Sequence, residues 1–156
     1  MNGQTAFVCA TGAEPAALDY PAELRRLEAK KEAGAHVVMT QPVYEAERIE
    51  QFLDDAAALE LPVMLGLCPL ASYRNARFLT DNVPGMRVPD DILSRMEKAE
   101  ATGRGQAEGI AIARETLTTF KERVHGAYIM PQFGRHKVAM AVLDGFIEKP
   151  ETSVAE

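Results

Sequence analysis

Short apolar runs alternate with helical patterns along nearly the whole chain, and this alternation limits the possible folds. Four runs are typical of buried strands, and each is followed by a polar turn and then by apolar residues at helical spacing. These runs cover residues 6–10, 37–40, 63–67 and 127–130. Strands separated by helices of ten or more residues pair in parallel through right-handed crossovers, because a tight turn cannot reach a parallel neighbour. The pattern therefore predicts an α/β fold with a parallel sheet.

Helices are expected after each run, with two extra helices between the third and fourth runs. The predicted helices cover about residues 23–33, 46–59, 72–80, 90–102, 106–124 and 135–146. Gly34 is expected to stop the first helix, because glycine adopts the left-handed conformation common at helix ends. Asp90 is expected to cap the start of the fourth.

The number of strand-helix units indicates half of a closed barrel. A (β/α)8 TIM barrel has eight units in about 250 residues, whereas this chain of 156 residues contains about four. An open doubly wound sheet of four or five strands suits the length better, but no G-x-G-x-x-G or G-x-x-x-x-G-K-[ST] motif follows any strand. We therefore expect one half-barrel domain over residues 1–148 and a flexible polar tail at 149–156.

Composition excludes several classes of function. The net charge is -6 with no basic block, so nucleic acid is not an expected partner. No apolar stretch approaches the roughly 18 to 20 residues that span a bilayer, so no membrane contact is expected. Three scattered histidines give no support for a metal site. Cys9 and Cys68 lie in or at the end of apolar runs with no secretory signal ahead of them, which predicts buried, reduced thiols in a cytoplasmic protein.

Candidate binding residues follow from the rule that functional side chains in βα barrels lie at the carboxyl ends of the strands. Gln41 follows the second run, and its amide both donates and accepts, which suits a ligand with a mixed edge such as a pterin. Asn75 follows the third run, together with Ser72 and Tyr73. Arg135 follows the fourth run after Gln132, and a guanidinium at a helix start can bind a carboxylate through two hydrogen bonds.

Each candidate also has a structural interpretation. Gln41 before Pro42 is typical of a hydrogen bond that closes a loop. Asn75 near the start of a short helix can satisfy local backbone groups. Arg135 can form a surface salt bridge.

Four stretches of the sequence resemble methylenetetrahydrofolate reductases, and especially the form fused behind a homocysteine methyltransferase domain in some bacteria. They are EAGAHVVMTQPVYE (residues 32–45), LPVMLGLCPLASYRNARFLTDNVPGMRVPDDIL (61–93), EGIAIARE (108–115) and PQFGRHKVAMAVL (131–143). The resemblance runs from about Ala6 to Phe146. It implies a (β/α)8 barrel that carries FAD and reduces 5,10-methylenetetrahydrofolate to 5-methyltetrahydrofolate with NAD(P)H as co-substrate.

The same resemblance implies roles for individual residues. Gln41 matches a glutamine that contacts the folate and nicotinamide ligands, Asn75 lies where many relatives have a folate-contacting glutamine, and Arg135 matches an arginine associated with the folate. Glu23, Arg26 and Lys30 fall at positions that contact FAD in relatives. Of the three, only Lys30 is identical to the residue that the relatives have. The sequence departs from these relatives at two positions near the flavin. Ala29 stands where relatives have another arginine that contacts FAD, and Gly12 stands where they have a tyrosine or asparagine.

The resemblance assigns no catalytic residue to this chain. The family's proton-donating glutamate and the aspartate near the flavin belong to the half of the barrel that would precede Met1. Two interpretations follow. In the first, the chain is a fragment or subunit of a reductase that needs an N-terminal half-barrel partner. In the second, it is a non-catalytic half-barrel that self-associates as a homo-oligomer, covers its open sheet edges and at most binds folate or flavin.

Overall fold

The structure is a computed structural model that describes residues 6–147. Within that range four strands and six α-helices alternate in the predicted βα manner. The strands are β1 (Ala10–Ala13), β2 (Val37–Thr40), β3 (Val63–Leu67) and β4 (Gly126–Ile129). The helices are α1 (Tyr20–Glu32), α2 (Ala46–Ala58), α3 (Tyr73–Asn82), α4 (Asp90–Glu100), α5 (Gly105–Phe120) and α6 (His136–Leu143), with a 3-10 turn at Gln132–Gly134. The predicted tail at 149–156 lies outside the described residues.

The four strands form one parallel sheet in the order β1-β2-β3-β4. Each strand therefore lies beside the next one along the chain, as in a (β/α)8 barrel. A doubly wound sheet instead reverses its strand order at a switch point, and the described strands show no such reversal. The predicted half-barrel is thus confirmed, and the doubly wound alternative is excluded.

The helices cover one face of the sheet and leave the other accessible. Strand residues on the covered face, such as Val38 and Val63, are buried in the main core. Because side chains alternate along a strand, the strand register brings a second row of residues together on the opposite face. This row is Gly12, Met39, Met64 and Gly126. None of the four is buried, and we call this accessible side the inner face.

A second core forms where α3, α4 and the segment around Val88 pack on one end of α5. Arg95 of α4 joins this unit to α5, since its Nε donates to Glu108 at 2.8 Å and its two Nη atoms donate to Glu115 at 2.7 and 2.8 Å. These hydrogen bonds hold the pKa of the Glu115 carboxyl below its usual value. The two glutamates are the first and last residues of the EGIAIARE stretch, so that motif fastens α5 to α4.

The predicted first strand was wrong over most of its length. β1 begins at Ala10, and Phe7 and Val8 are 77% and 78% exposed. The reason is the register: Ala10 pairs with Val37, so the sheet begins where β2 begins. Gly12 consequently lies in the strand.

Other predictions need smaller corrections. Cys9 is exposed ahead of β1 and Cys68 is half-buried, so the expected burial of both thiols was wrong, although both are free. Pro89 occupies the N-cap position of α4, and Asp90 is its first helical residue. Helix α1 begins earlier than expected because Asp19 accepts a hydrogen bond from the Ala22 N–H at 3.0 Å. No helix within residues 6–147 has the length and apolar character needed to cross a membrane.

Candidate functional site

A cleft of about 740 Å³ opens beside β1 at the inner face of the sheet. Its floor is the backbone of β1, and its walls come from α1, the end of β2 and one residue of β4. The side chains that form the walls are Glu14, Glu23, Arg26, Lys30, Met39, Gln41 and Tyr128. We call this space the β1 cleft. Four residues singled out by sequence analysis, Gln41, Glu23, Arg26 and Lys30, thus meet at one place.

The α1 wall presents two cations that are held by different partners. Lys30 Nζ donates to the Gly12 carbonyl at 2.8 Å. Arg26 Nε and Nη2 donate to one oxygen of Glu23 at 3.0 and 2.6 Å. Both cations have further donors, so an anionic group in the cleft can bind to them without breaking these contacts.

Glu23 has a structural role in this wall. It is 4% exposed, and its second oxygen accepts the Glu14 N–H at 3.0 Å. With both oxygens engaged, the carboxylate fixes the turn after β1 and orients Arg26. Glu23 therefore acts on the cleft through Arg26 and the backbone.

Gln41 both closes a loop and lines the cleft. Its Nε2 donates to the Pro84 carbonyl at 3.3 Å, and its backbone N–H donates to the Ala13 carbonyl at 2.7 Å. Gly85 allows this approach, since its φ of 74° is left-handed and a Cβ there would lie 3.3 Å from Gln41 Oε1. The structural interpretation of Gln41 is thus confirmed, and the same side chain still faces the cleft.

Asn75 lies at a second cleft of about 670 Å³, which has a mainly apolar lining. Phe78, Leu79, Met86 and Met130 form much of its wall. Asn75 Oδ1 accepts from the Ala71 N–H at 3.1 Å and from Gln132 Nε2 at 2.6 Å, and its backbone N–H donates to the Ser72 hydroxyl that caps α3. The predicted local role of Asn75 is confirmed. Within the described part of the chain no hydrogen bond engages its Nδ2, which leaves a donor for a ligand.

The Cys68 side chain lines this second cleft. Burial raises the pKa of its thiol, so the sulfur stays protonated at neutral pH and is a poor nucleophile. Gln132 Nε2 lies 3.9 Å from the sulfur. From the sequence, Gln132 is marked only by its position after the fourth run; in the structure it is the residue that orients Asn75.

Arg135 lies at the carboxyl edge of the sheet, as does Gln41, but it lines neither cleft. It is exposed at the N-cap position of α6, directly after the 3-10 turn. The structure thus places the three candidates Gln41, Asn75 and Arg135 at one edge of the sheet in three separate positions.

Tyr128 was missed by sequence analysis. It lies on β4 and its side chain reaches the β1 cleft across the inner face, where its hydroxyl donates to the Thr40 carbonyl at 2.6 Å. The alternation of Ala127, Tyr128 and Ile129 was the available signal, because it puts Tyr128 on the face opposite its apolar neighbours. Met39 lines the β1 cleft and Met130 lines the second cleft.

No group of three His, Cys, Asp or Glu side chains is arranged to hold a metal ion among residues 6–147.

Comparison with known proteins identifies the family. A family model described as methylenetetrahydrofolate reductase matches residues 10–133, which is more than half of the chain. A probable methylenetetrahydrofolate reductase (NADPH) of Caenorhabditis elegans is 33% identical over 85 residues, and these make up 53% of this chain and 13% of that relative. The chain therefore corresponds to a small part of the length of that curated relative. With β1 to β4 and both clefts inside the matched range, the chain belongs to the methylenetetrahydrofolate reductase family.

Proposed function

We propose that this chain supplies the C-terminal half of a reductase barrel. Together with an N-terminal half it reduces 5,10-methylenetetrahydrofolate to 5-methyltetrahydrofolate, with FAD as cofactor and NAD(P)H as co-substrate. The observation that carries the proposal is the meeting of Arg26, Lys30 and Gln41 in one cleft beside the accessible inner face.

The residues of the β1 cleft fit the binding of a flavin dinucleotide. Arg26 and Lys30 offer cationic donors for a diphosphate. A Cβ added at Gly12 would meet the Met39 carbonyl at 4.0 Å and nothing closer, so there is space for a flat ring against the β1 backbone. The volume of about 740 Å³ lies in the range of cofactor sites. Hydride transfer itself would be the chemistry of the bound FAD.

The carboxyl edge of the sheet offers groups that suit a folate. Gln41 presents an amide to the β1 cleft, and Asn75 presents a donor to the apolar second cleft. A pterin requires both donors and acceptors, and an aromatic linker requires an apolar wall. Arg135 is proposed to bind the glutamate carboxylates of the substrate.

The partner half is proposed to cover the inner face and to supply the proton donor. Within the described residues the outer edges of β1 and β4 pair with no strand, and such edges are normally covered. The partner can be a separate chain or a segment ahead of Met1. We further propose a cytoplasmic location, where Cys9 and Cys68 stay reduced.

The proposal is tested by mixing the chain with the N-terminal barrel half of a methylenetetrahydrofolate reductase of the fused type. The mixture should bind FAD, seen as flavin absorbance that co-elutes with protein, and should oxidise NAD(P)H in the presence of methylenetetrahydrofolate. Lys30→Gln should weaken FAD binding about tenfold or more, because it removes a charge-assisted hydrogen bond. Lys98→Gln, at the exposed end of α4, is the matched control. A mixture that is colourless and inert counts against the proposal, as would equal flavin affinities for both variants.

A second candidate is a non-catalytic module that pairs with its own copy. Four strands in sequential order are half of eight, so β1 of one copy can pair with β4 of another around a two-fold axis. Sedimentation equilibrium of the purified chain distinguishes the two proposals. A stable dimer that excludes the N-terminal half favours the module, whereas a monomer that forms a one-to-one complex with that half favours the reductase.

A further inference from the structure

The ladder between β2 and β3 ends at Met39, two residues before Gln41. Its register pairs Val38 with Val63 and Met39 with Met64 and goes no further, although β3 continues to Leu67. In a regular parallel ladder with this register, the next hydrogen bond would run from the Gly66 N–H to the Thr40 carbonyl. Instead the Gly66 N–H donates to the Thr40 hydroxyl oxygen at 2.9 Å.

The Thr40 carbonyl, which has no partner in the ladder, accepts a hydrogen bond from Tyr128 instead. The Tyr128 hydroxyl donates to the Thr40 carbonyl at 2.6 Å from the inner face, two strands away from β2. Glycine at position 66 is required for this arrangement. A Cβ there would collide with the Thr40 carbonyl oxygen and would lie 2.9 Å from the Tyr128 hydroxyl.

This arrangement changes the orientation of the peptide group that joins Thr40 to Gln41. Its carbonyl is turned out of the sheet toward the inner face, and Thr40 itself is fully buried. The Gln41 N–H at the other side of the same peptide is held by the Ala13 carbonyl at 2.7 Å. Thr40 and Gln41 are thus fixed from β1, β3 and β4 at once.

We propose that Tyr128 is a positioning residue for Gln41: by holding the Thr40 carbonyl out of the ladder, it sets the direction in which the Gln41 amide enters the β1 cleft. This inference rests on the proposed function only where folate binding is concerned. Burial raises the pKa of the Tyr128 phenol, so the hydroxyl remains a donor throughout the neutral pH range.

The first test is nuclear magnetic resonance of the full chain without ligand. The side-chain amide signals of Gln41 are assigned by their loss in Gln41→Glu. Tyr128→Phe keeps the ring and removes the hydroxyl, and it should shift both the backbone and the side-chain amide signals of Gln41. Tyr20→Phe is the matched control, because it removes a hydroxyl that also donates at 2.6 Å, to Asp55 between α1 and α2. It should leave the Gln41 signals in place.

Thr40→Val is an independent variant with nearly the same side-chain volume. Without the Thr40 hydroxyl, the Gly66 N–H is left to pair with the Thr40 carbonyl in the regular ladder, so the Gln41 signals should move here too. Unmoved Gln41 signals in folded Tyr128→Phe or in folded Thr40→Val overturn the proposal.

The second test uses the complex with the N-terminal half. Tyr128→Phe should weaken binding of 5-methyltetrahydrofolate about five- to tenfold, which corresponds to one hydrogen bond. It should weaken FAD binding clearly less, because the ring that lines the cleft is kept and the lost hydroxyl is engaged by the Thr40 carbonyl. Equal losses for folate and FAD would mean a general structural effect and would overturn the positioning role. If wild-type complex binds no folate while Tyr128→Phe still moves the Gln41 signals, the proposed function fails and the positioning of Gln41 stands.

Discussion

Gln41 illustrates how one side chain can serve the loop and the cleft together. Its Nε2 donates to the Pro84 carbonyl at 3.3 Å, while its Oε1 lies near Gly85. The amide therefore gives a donor to the loop, while no hydrogen bond among the described residues engages its Oε1, which leaves an acceptor for a ligand. Glu14, which also lies near Gly85, places one carboxylate close to this amide.

Gln41→Glu should weaken folate binding in the assembled enzyme about tenfold. A carboxylate cannot donate to Pro84, and it adds a second negative charge beside Glu14. Isothermal titration with 5-methyltetrahydrofolate measures the change. Gln51→Glu, on an exposed position of α2, carries the same charge change away from the cleft. If Gln41→Glu and Gln51→Glu bind folate equally well, Gln41 has only its loop-closing role.

At the scale of residues, the sequence indicated some members of the site and concealed others. Gln41 was found because it follows a clear strand, and Arg26 and Lys30 were found through family resemblance. Tyr128 was concealed because its partner, the Thr40 carbonyl, is 88 residues away along the chain. Such a contact depends on the order of the strands and on the absence of a side chain at Gly66, and local patterns contain neither.

Among the elements, α5 packs closely against the loop after β3 because its residue 109 is a glycine. A Cβ on Gly109 would collide with the backbone of Leu70, which is itself buried. Leu70 precedes α3, so this contact also places the helix that carries Asn75. Glycine is unfavourable inside a helix by roughly 0.5–1 kcal/mol relative to alanine, so close packing is the reason for it here.

Gly109→Ala should therefore destabilise the chain by about 1–3 kcal/mol, the usual effect of overpacking, despite the better helix propensity of alanine. Gly105→Ala is the matched control, because a Cβ at that end of α5 would meet mainly the flexible carboxylate of Glu100. It should change stability by less than about 1 kcal/mol. Urea unfolding followed by circular dichroism measures both. Equal stabilities would mean that α5 can move away from Leu70 without loss.

The bounds of the elements were predictable where an apolar run was closed by polar or proline residues. β2 and β3 were predicted with the ends that the structure has, because residues 37–40 and 63–67 are apolar runs closed by polar or proline residues. β1 was misplaced because the run at residues 6–10 is equally apolar but remains exposed. Helix α6 ends at Leu143, where Arg114 Nη1 donates to the carbonyls of Ala141, Val142 and Asp144, a contact between distant segments that no local pattern reveals.

At the scale of the whole molecule, counting predicted the half-barrel, since strand number and crossover length are written in the sequence. The clefts were not predictable, because the first is lined by residues of β1, α1, β2 and β4, and the second mainly by residues of α3 and the turn after β4. Their shapes depend on side chains from segments far apart along the chain. The β1 cleft opens at the inner face, which is the surface that the partner half is proposed to cover.

The stability of the whole molecule should fall in alkaline solution. The pKa values of Tyr20, Tyr44 and Tyr128 are raised, chiefly by burial, and so is that of the Cys68 thiol. A group with a raised folded pKa contributes its full stability below its unfolded pKa, which is about 10 for tyrosine. It loses that contribution as the pH rises toward the folded pKa. The loss should therefore begin near pH 9 to 10.

Tyr44→Phe isolates one of these phenols, whose hydroxyl donates to the Cys68 carbonyl at 2.8 Å. At pH 8 the variant should be less stable than the wild type by about 1 kcal/mol, the contribution of one hydrogen bond. Above pH 10 the two stabilities should converge, because the wild type alone must keep Tyr44 protonated in order to stay folded. Urea unfolding at intervals from pH 8 to 11 measures the difference. Curves that stay parallel over this range would show that the Tyr44 phenol ionises as easily in the folded chain as in the unfolded one.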